Sequence, residues 1–269
     1  MLRKVFVALI IMATSAGCAL AQEKINIGGS TTLLPIAQKA VEVYMGKYPQ
    51  VEITISGSGS GDGLKALMES TVDIANSSRG LKDKEISAAQ QGGFTLVPTV
   101  VGIDCIVPVV NPVNPVGSLT LGQLKDIYNG NLKNWREVGG EDKPIVVISR
   151  DFSSGTFETW QEKVLDSDRI RPDAQMQASN GGVANSVMGN KYAIGYVGLG
   201  YVNDKLKAVA VNGVIASVAS AKDGSYILSR ELYMFTKGEP AGAVKRFLDF
   251  VKGRDGQLIV EQEGFVAAY

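Results

Sequence analysis

Residues 144–148 form an apolar, β-branched run, Pro144-Ile145-Val146-Val147-Ile148, and residues 157–165 follow with helical spacing. A short run without polar interruption predicts a strand buried on both faces, and such strands belong to parallel sheets. The alternation recurs. A strand over 25–27 leads to a helix over 34–48, a strand over 51–55 to a helix over 64–70, and a third strand lies around 73–75. Alternating strands and helices predict an α/β fold, a mostly parallel sheet with helices on both faces. Residues 95–110 are unusually long and apolar for one strand and contain Pro98 and Pro108, so they could carry the chain from one sheet to another. After the turn-rich segment 111–115, Thr120 is a plausible cap for a short helix, with Trp135 in the loop beyond it. A short helix over 183–188 and a strand over 192–197 follow; Tyr192, Tyr196 and Tyr201 read as packing residues. Residues 231–236 predict a second crossing strand, and helices over 243–251 and 256–262 pack back on the first lobe. Two crossings between two sheets leave a cleft with a hinge at its back. No internal repeat is visible.

The joints between strands and helices carry the chemistry. Gly28-Gly29-Ser30-Thr31-Thr32 ends the first strand, and Ser56-Gly57-Ser58-Gly59-Ser60-Gly61-Asp62-Gly63 the second. Asn76-Ser77-Ser78-Arg79 ends the third, and Ser149-Arg150-Asp151-Phe152-Ser153-Ser154-Gly155-Thr156 follows the run at 144–148. A helix N-terminus presents unpaired N–H groups and a partial positive charge. In open α/β sheets the ligand lies beyond the carboxyl ends of the strands. Four such ends rich in Ser, Thr and Gly point to one small oxyanion, with Arg150 adding a fork of donors. Other readings stand beside this one. Thr31 and Thr32 serve equally as helix caps, Asp62 as the cap of the helix from residue 64, and Asp151 as the group that orients Arg150. Arg79 lines the cleft or is solvated. The glycine run lacks the Gly-Lys-Ser/Thr of a P-loop and the spacing of a dinucleotide turn.

Composition narrows the chemistry. The 269 residues include no histidine, which excludes histidine-ligated metal sites and Ser-His-Asp or Cys-His catalysis. Residues 1–21 read as a secretory signal peptide: Arg3-Lys4, an apolar run, and Ala19-Leu20-Ala21 as the cleavage site. A lipid anchor at Cys18 is the lesser alternative, because Ser15 stands where an aliphatic residue is usual. The 27 basic and 27 acidic residues balance, and loss of Arg3 and Lys4 leaves the mature chain at about −2. That balance argues against nucleic acid as a partner. Cys105, in the apolar run 103–110, reads as a small buried hydrophobe.

Taken together, Gly29-Ser30-Thr31-Thr32, Gly57 to Gly61, Asp73 to Arg79, Leu121 to Trp135, Arg150 to Thr156, Ala193 to Gly198 and Gly264-Phe265 give a close resemblance to a known family. The chain resembles the PstS-like phosphate-binding proteins of bacterial phosphate ABC transporters, type II periplasmic solute-binding proteins, over essentially its whole mature length. The resemblance implies two α/β lobes joined by two crossover strands, with lobe I at 22–99 and 230–269 and lobe II at 100–229. It implies a monomer in the periplasm that captures inorganic phosphate between its lobes and delivers it to permease subunits. No enzymatic step, cofactor, metal or nucleic acid is involved. By resemblance the ligand contacts are Thr31, Thr32, Ser60, Ser78, Arg150, Ser154, Gly155 and Thr156. Long members of the family carry an aspartate at the position of Ser78, which accepts the proton that phosphate keeps near neutral pH. Asp62 also stands where the family has a small or hydroxyl residue. Asp62 or Asp151 is the expected substitute acceptor, with Arg79 a possible further contact. Sulfate, molybdate, tungstate or an organophosphate remain alternative ligands, and a phosphate sensor without a permease an alternative role.

Overall fold

A computed structural model describes residues 22–269; the expected signal peptide and Cys18 lie outside the described residues. The first lobe begins with β1 (Glu23–Gly29), α1 (Leu34–Lys47), β2 (Val51–Ile55), α2 (Ser60–Met68), β3 (Ile74–Ser77) and α3 (Asp83–Gln91). The long strand β4 (Leu96–Val110) leads into the second lobe. There β5 (Ser118–Leu119), α4 (Leu121–Asn129), β6 (Val146–Arg150), α5 (Gly155–Lys163), β7 (Gln175–Gln177), α6 (Asn180–Gly189) and β8 (Ala193–Gly198) follow. After β9 (Lys207–Ala208), β10 (Ala210–Val211) and α7 (Val218–Lys222), the strand β11 (Ser229–Lys237) returns to the first lobe, which closes with α8 (Gly242–Lys252) and α9 (Arg254–Gln262).

One nine-stranded sheet runs in the order β2-β1-β3-β11-β4-β8-β6-β7, with β9 added on β4. Its outer parts are parallel: β1 with β2 and β3, and β6 with β7 and β8. The crossing strands join the two parts. From Leu96 to Cys105, β4 pairs antiparallel with β11; from Ile106 to Val110 it pairs with β8. Two parallel half-sheets therefore share one continuous strand, which is the two-lobed architecture the sequence implied. Each lobe has its own core. In the second, Trp160 stacks on Tyr196 with ring centroids 4.2 Å apart. In the first, α1, α8 and α9 pack Tyr44, Phe247 and Val260 against one face of the sheet, while Leu64, Leu67 and Phe235 cover the other.

Trp135, in the segment after α4, is structural: it is buried in the second core, its indole N–H donating to the Tyr192 carbonyl at 2.8 Å. One local expectation needs correction. The helix expected from residue 64 starts at Ser60, inside the glycine-rich run. Gly59 (φ +106°) makes the turn into it, and a Cβ on Gly63 would lie 2.5 Å from the Gly29 Cα. Helix and strand approach so closely there that only glycine fits.

Candidate anion-binding site

Helices α1, α2, α5 and α6 all begin at the carboxyl ends of the strands, and their first residues meet across the two lobes. Thr32 Oγ1 lies 3.0 Å from Thr156 Oγ1, and Asn180 Nδ2 lies 3.1 Å from both Thr31 Oγ1 and Thr32 Oγ1. Gly155 is so close to the opposite lobe that a Cβ there would sit 2.4 Å from Ser60 Oγ and 2.8 Å from Ser78 Oγ. Thr31, Thr32, Ser60, Ser78, Ser154 and Thr156 are all buried. Six hydroxyls from three strand ends of one lobe and one of the other thus share one small volume, surrounded by the positive ends of helix dipoles.

The threonines do not cap α1. Its cap residue is Leu33, with no side-chain bond to the first turn. Ser154 does cap α5, accepting the Phe157 N–H at 3.2 Å. The direction of each hydroxyl proton follows from such bonds. Thr31 Oγ1 accepts from Asn180, and Thr32 Oγ1 from Asn180 and Arg230. Thr156 Oγ1 accepts from Arg230 at 3.0 Å, and Ser60 Oγ from the Ser78 N–H at 3.1 Å. A hydroxyl that accepts an N–H keeps its own proton to donate. Thr32 and Thr156 face each other at 3.0 Å, so one of them donates to the other, and four of the six hydroxyls keep a proton free to donate to an anion. Ser78 Oγ takes no N–H bond among the described residues; its one hydrogen-bond neighbour is Ser60 Oγ, at 3.4 Å.

Arg150 ends β6 and is 1 % exposed. Its Nε and Nη2 donate to the carbonyls of Gln177 and Ala178, both at 3.0 Å, which ties the guanidinium to the start of α6. Burial draws its pKa below the usual value; Asp151 opposes this and Arg230 adds to it. A buried guanidinium uncompensated by a bonded carboxylate favours an anion nearby. Tyr196 donates or accepts with Ser149 Oγ at 2.8 Å and accepts the Arg150 N–H at 3.3 Å. The Tyr201 hydroxyl, pushed up to about 12 chiefly by burial, donates to the Thr31 carbonyl. These two tyrosines hold the site loops as well as packing the core.

The acidic and second basic candidates stand elsewhere. Asp151 Oδ1 accepts the N–H and hydroxyl of Ser153, at 3.1 and 2.9 Å, and shapes the turn rather than bonding to Arg150. The same Ser153 hydroxyl lies 3.1 Å from the Ser58 carbonyl, its one proton within reach of either acceptor, and the Ser153 carbonyl accepts the Gly61 N–H at 2.9 Å, so this turn docks on the glycine-rich loop of the other lobe. Asp62 sits in the first turn of α2 behind Gly59, the cap residue, and faces a rim cavity with Lys65, Lys84 and Phe152. Neither carboxylate is placed among the hydroxyls. Arg79 is neither solvated nor turned to them: it pairs with Glu85 at 2.8 Å and, across the cleft mouth, with Glu158 of α5, which Lys82 also meets at 2.8 Å. This cluster clasps the lobes together. Glu158→Gln removes the interlobe charge while Arg79 keeps Glu85; release of a bound anion should quicken by about three- to tenfold, as for a largely buried pair. Stopped-flow release rates check this, and an unchanged rate would mean that the clasp does not hold the lobes.

Sequence reading missed Asn180, Asp104 and Arg230. Asp104 and Arg230 face each other in register on the two crossing strands, with Nε and Nη2 of Arg230 at 3.0 and 2.7 Å from Asp104 Oδ2. A charged residue inside the apolar run 95–110 was the signal available for Asp104. The neighbouring Cys105 is buried, and burial pushes its thiol up to about 12, so it is inert as a nucleophile.

A family profile described as a PBP superfamily domain matches residues 14–254. The phosphate-binding protein PstS of Bacillus subtilis is 32% identical over 248 residues, covering 91% of this chain and 81% of the relative. Among solved structures, a putative phosphate ABC transporter substrate-binding protein with bound phosphate from Clostridium perfringens superposes with a TM-score of 0.86 at 36% identity. It covers 92% of this chain and 100% of its own. An ABC-type phosphate transport receptor from Vibrio cholerae has a TM-score of 0.74 at 29% identity, over 90% of this chain and 99% of the receptor.

Proposed function

Because this chain belongs to the PBP superfamily and, within it, to the PstS phosphate-binding family, we propose that it captures inorganic phosphate between its lobes for an ABC transporter. The carrying observation is the ring of buried hydroxyls closed by Arg150 and by helix N-termini from both lobes. Binding is the whole of its action, with no bond made or broken. Thr31, Ser60, Ser154 and one of the Thr32–Thr156 pair donate hydroxyl protons, the Gly155 N–H adds a backbone donor, and Arg150 supplies positive charge; the Thr32 N–H, bonded to Ser30 Oγ at 3.2 Å, would have to turn from it to reach the ligand. Each charge-assisted bond contributes about 1.5–3 kcal/mol net, and a micromolar dissociation constant requires about 8 kcal/mol, so part of this set suffices. The protein works as a monomer outside the cytoplasmic membrane and hands its ligand to permease subunits. Consistent with that role, no helix among the described residues is long and apolar enough to cross a membrane.

Ser78 takes the part that an aspartate plays in long members of the family. As the one hydroxyl with no N–H bonded to it, it has lone pairs free for the proton of monohydrogen phosphate. A hydroxyl tolerates sulfate better than a carboxylate does, because it can reverse and donate. Competition of sulfate, molybdate, tungstate and an organophosphate against labelled phosphate tests the ligand assignment. Phosphate should win. Ser78→Asp should sharpen rejection of sulfate by about tenfold or more, through like-charge repulsion in a buried site. Ser78→Ala should weaken phosphate and sulfate alike by several-fold, because the hydroxyl that accepts from one and donates to the other is gone. Tighter binding of another oxyanion by the unaltered protein would reassign the ligand.

A further inference from the structure

We propose that Arg230 is a second guanidinium ligand of the bound anion, held in place by Asp104; this rests on the phosphate-capture reading above. Arg230 is 9 % exposed and stands on β11 at the floor of the cleft, where the lobes join. A guanidinium is a rigid planar fork, so fixing one edge aims the other. Here the edge formed by Nε and Nη2 is fixed on Asp104 Oδ2. The remaining direction of Nη2 leads to Thr32 Oγ1 at 3.3 Å and Thr156 Oγ1 at 3.0 Å, one from each lobe. Nη1 shares that outer edge, is buried, and has no hydrogen-bond partner in the protein. A buried N–H of a cation left without an acceptor is costly, and an anion oxygen within reach of Nη1 removes that cost.

Asp104 is a positioning residue, not a ligand. Its Oδ1 accepts the Leu199 N–H at 2.8 Å, and Gly198 is pressed against it: a Cβ there would meet Oδ1 at 3.1 Å and Thr32 Cγ2 at 2.9 Å. The carboxylate is thus pinned away from the hydroxyl ring, and it compensates Arg230 without facing the anion. Because Arg230 touches hydroxyls of both lobes, it senses their approach as well as the ligand's charge.

The test separates a ligand from a structural ion pair. Arg230→Met alone leaves Asp104 buried and unpaired, and this variant could fail to fold. Arg230→Met combined with Asp104→Asn removes both charges while Asn keeps an acceptor for Leu199. With folding verified by circular dichroism, calorimetric titration of the double variant with inorganic phosphate should show affinity reduced tenfold or more. Arg230→Lys, which keeps charge but loses the fork, should fall between. In the unaltered protein, the Arg230 side-chain 15N–H signals, assigned by their loss in Arg230→Lys, should shift on phosphate saturation. Wild-type affinity in the folded double variant, or unshifted Arg230 signals at saturation, would overturn the proposal. Absence of phosphate binding by the unaltered protein would instead overturn the functional reading, and this inference with it.

Discussion

Arg150→Ala should weaken phosphate binding by about two orders of magnitude. The guanidinium is buried and spends two N–H bonds on backbone carbonyls, leaving its other donors for the ligand. Loss of about two charge-assisted bonds, each contributing roughly 1.5 kcal/mol at the low end, gives a change of about a hundredfold. Calorimetry at fixed salt measures it. Arg150 also anchors the Gln177 and Ala178 carbonyls, so the variant's melting temperature belongs beside its affinity. A cooperative, folded Arg150→Ala protein that binds phosphate normally would place the anion elsewhere.

Gly155→Ala, which adds a single methyl, should nearly abolish phosphate binding. Gly155 opens α5, where alanine itself is a good helix former, so the second lobe should keep its fold. The new Cβ enters the first lobe at 2.4 Å from Ser60 Oγ and 2.8 Å from Ser78 Oγ. Either the two hydroxyls turn away from the ligand or the lobes stay apart; both outcomes strip donors from the site. Phosphate affinity should fall by a hundredfold or more while thermal stability without phosphate changes little. Small-angle scattering in saturating phosphate should then show a larger radius of gyration than for the unaltered protein. Unchanged affinity would mean that the lobes do not meet at Gly155 when phosphate is bound.

The strand-end loops were legible in the sequence because their chemistry is local. A strand, then Ser, Thr and Gly, then a helix defines an anion-seeking turn without knowledge of its neighbours, and the crossing strand at 95–110 announced itself by length. What stayed hidden depends on contacts between distant residues. Asn180 and Arg230 set hydroxyl protons on Thr31, Thr32 and Thr156, residues 74 to 198 positions away, so no local pattern marks them. Arg79 looked free for the cleft because its partners Glu85 and Glu158 lie on two later helices, one in each lobe. The start of α2 was obscured for another reason: glycine is a poor helix former, and Gly63 is kept by close packing against β1.

The most direct test of phosphate capture is calorimetric titration of the phosphate-stripped protein, residues 22–269, with phosphate at two pH values, and with sulfate alongside. Phosphate should bind at micromolar or tighter concentration, with sulfate markedly weaker. No binding of either anion by the folded protein would contradict the account.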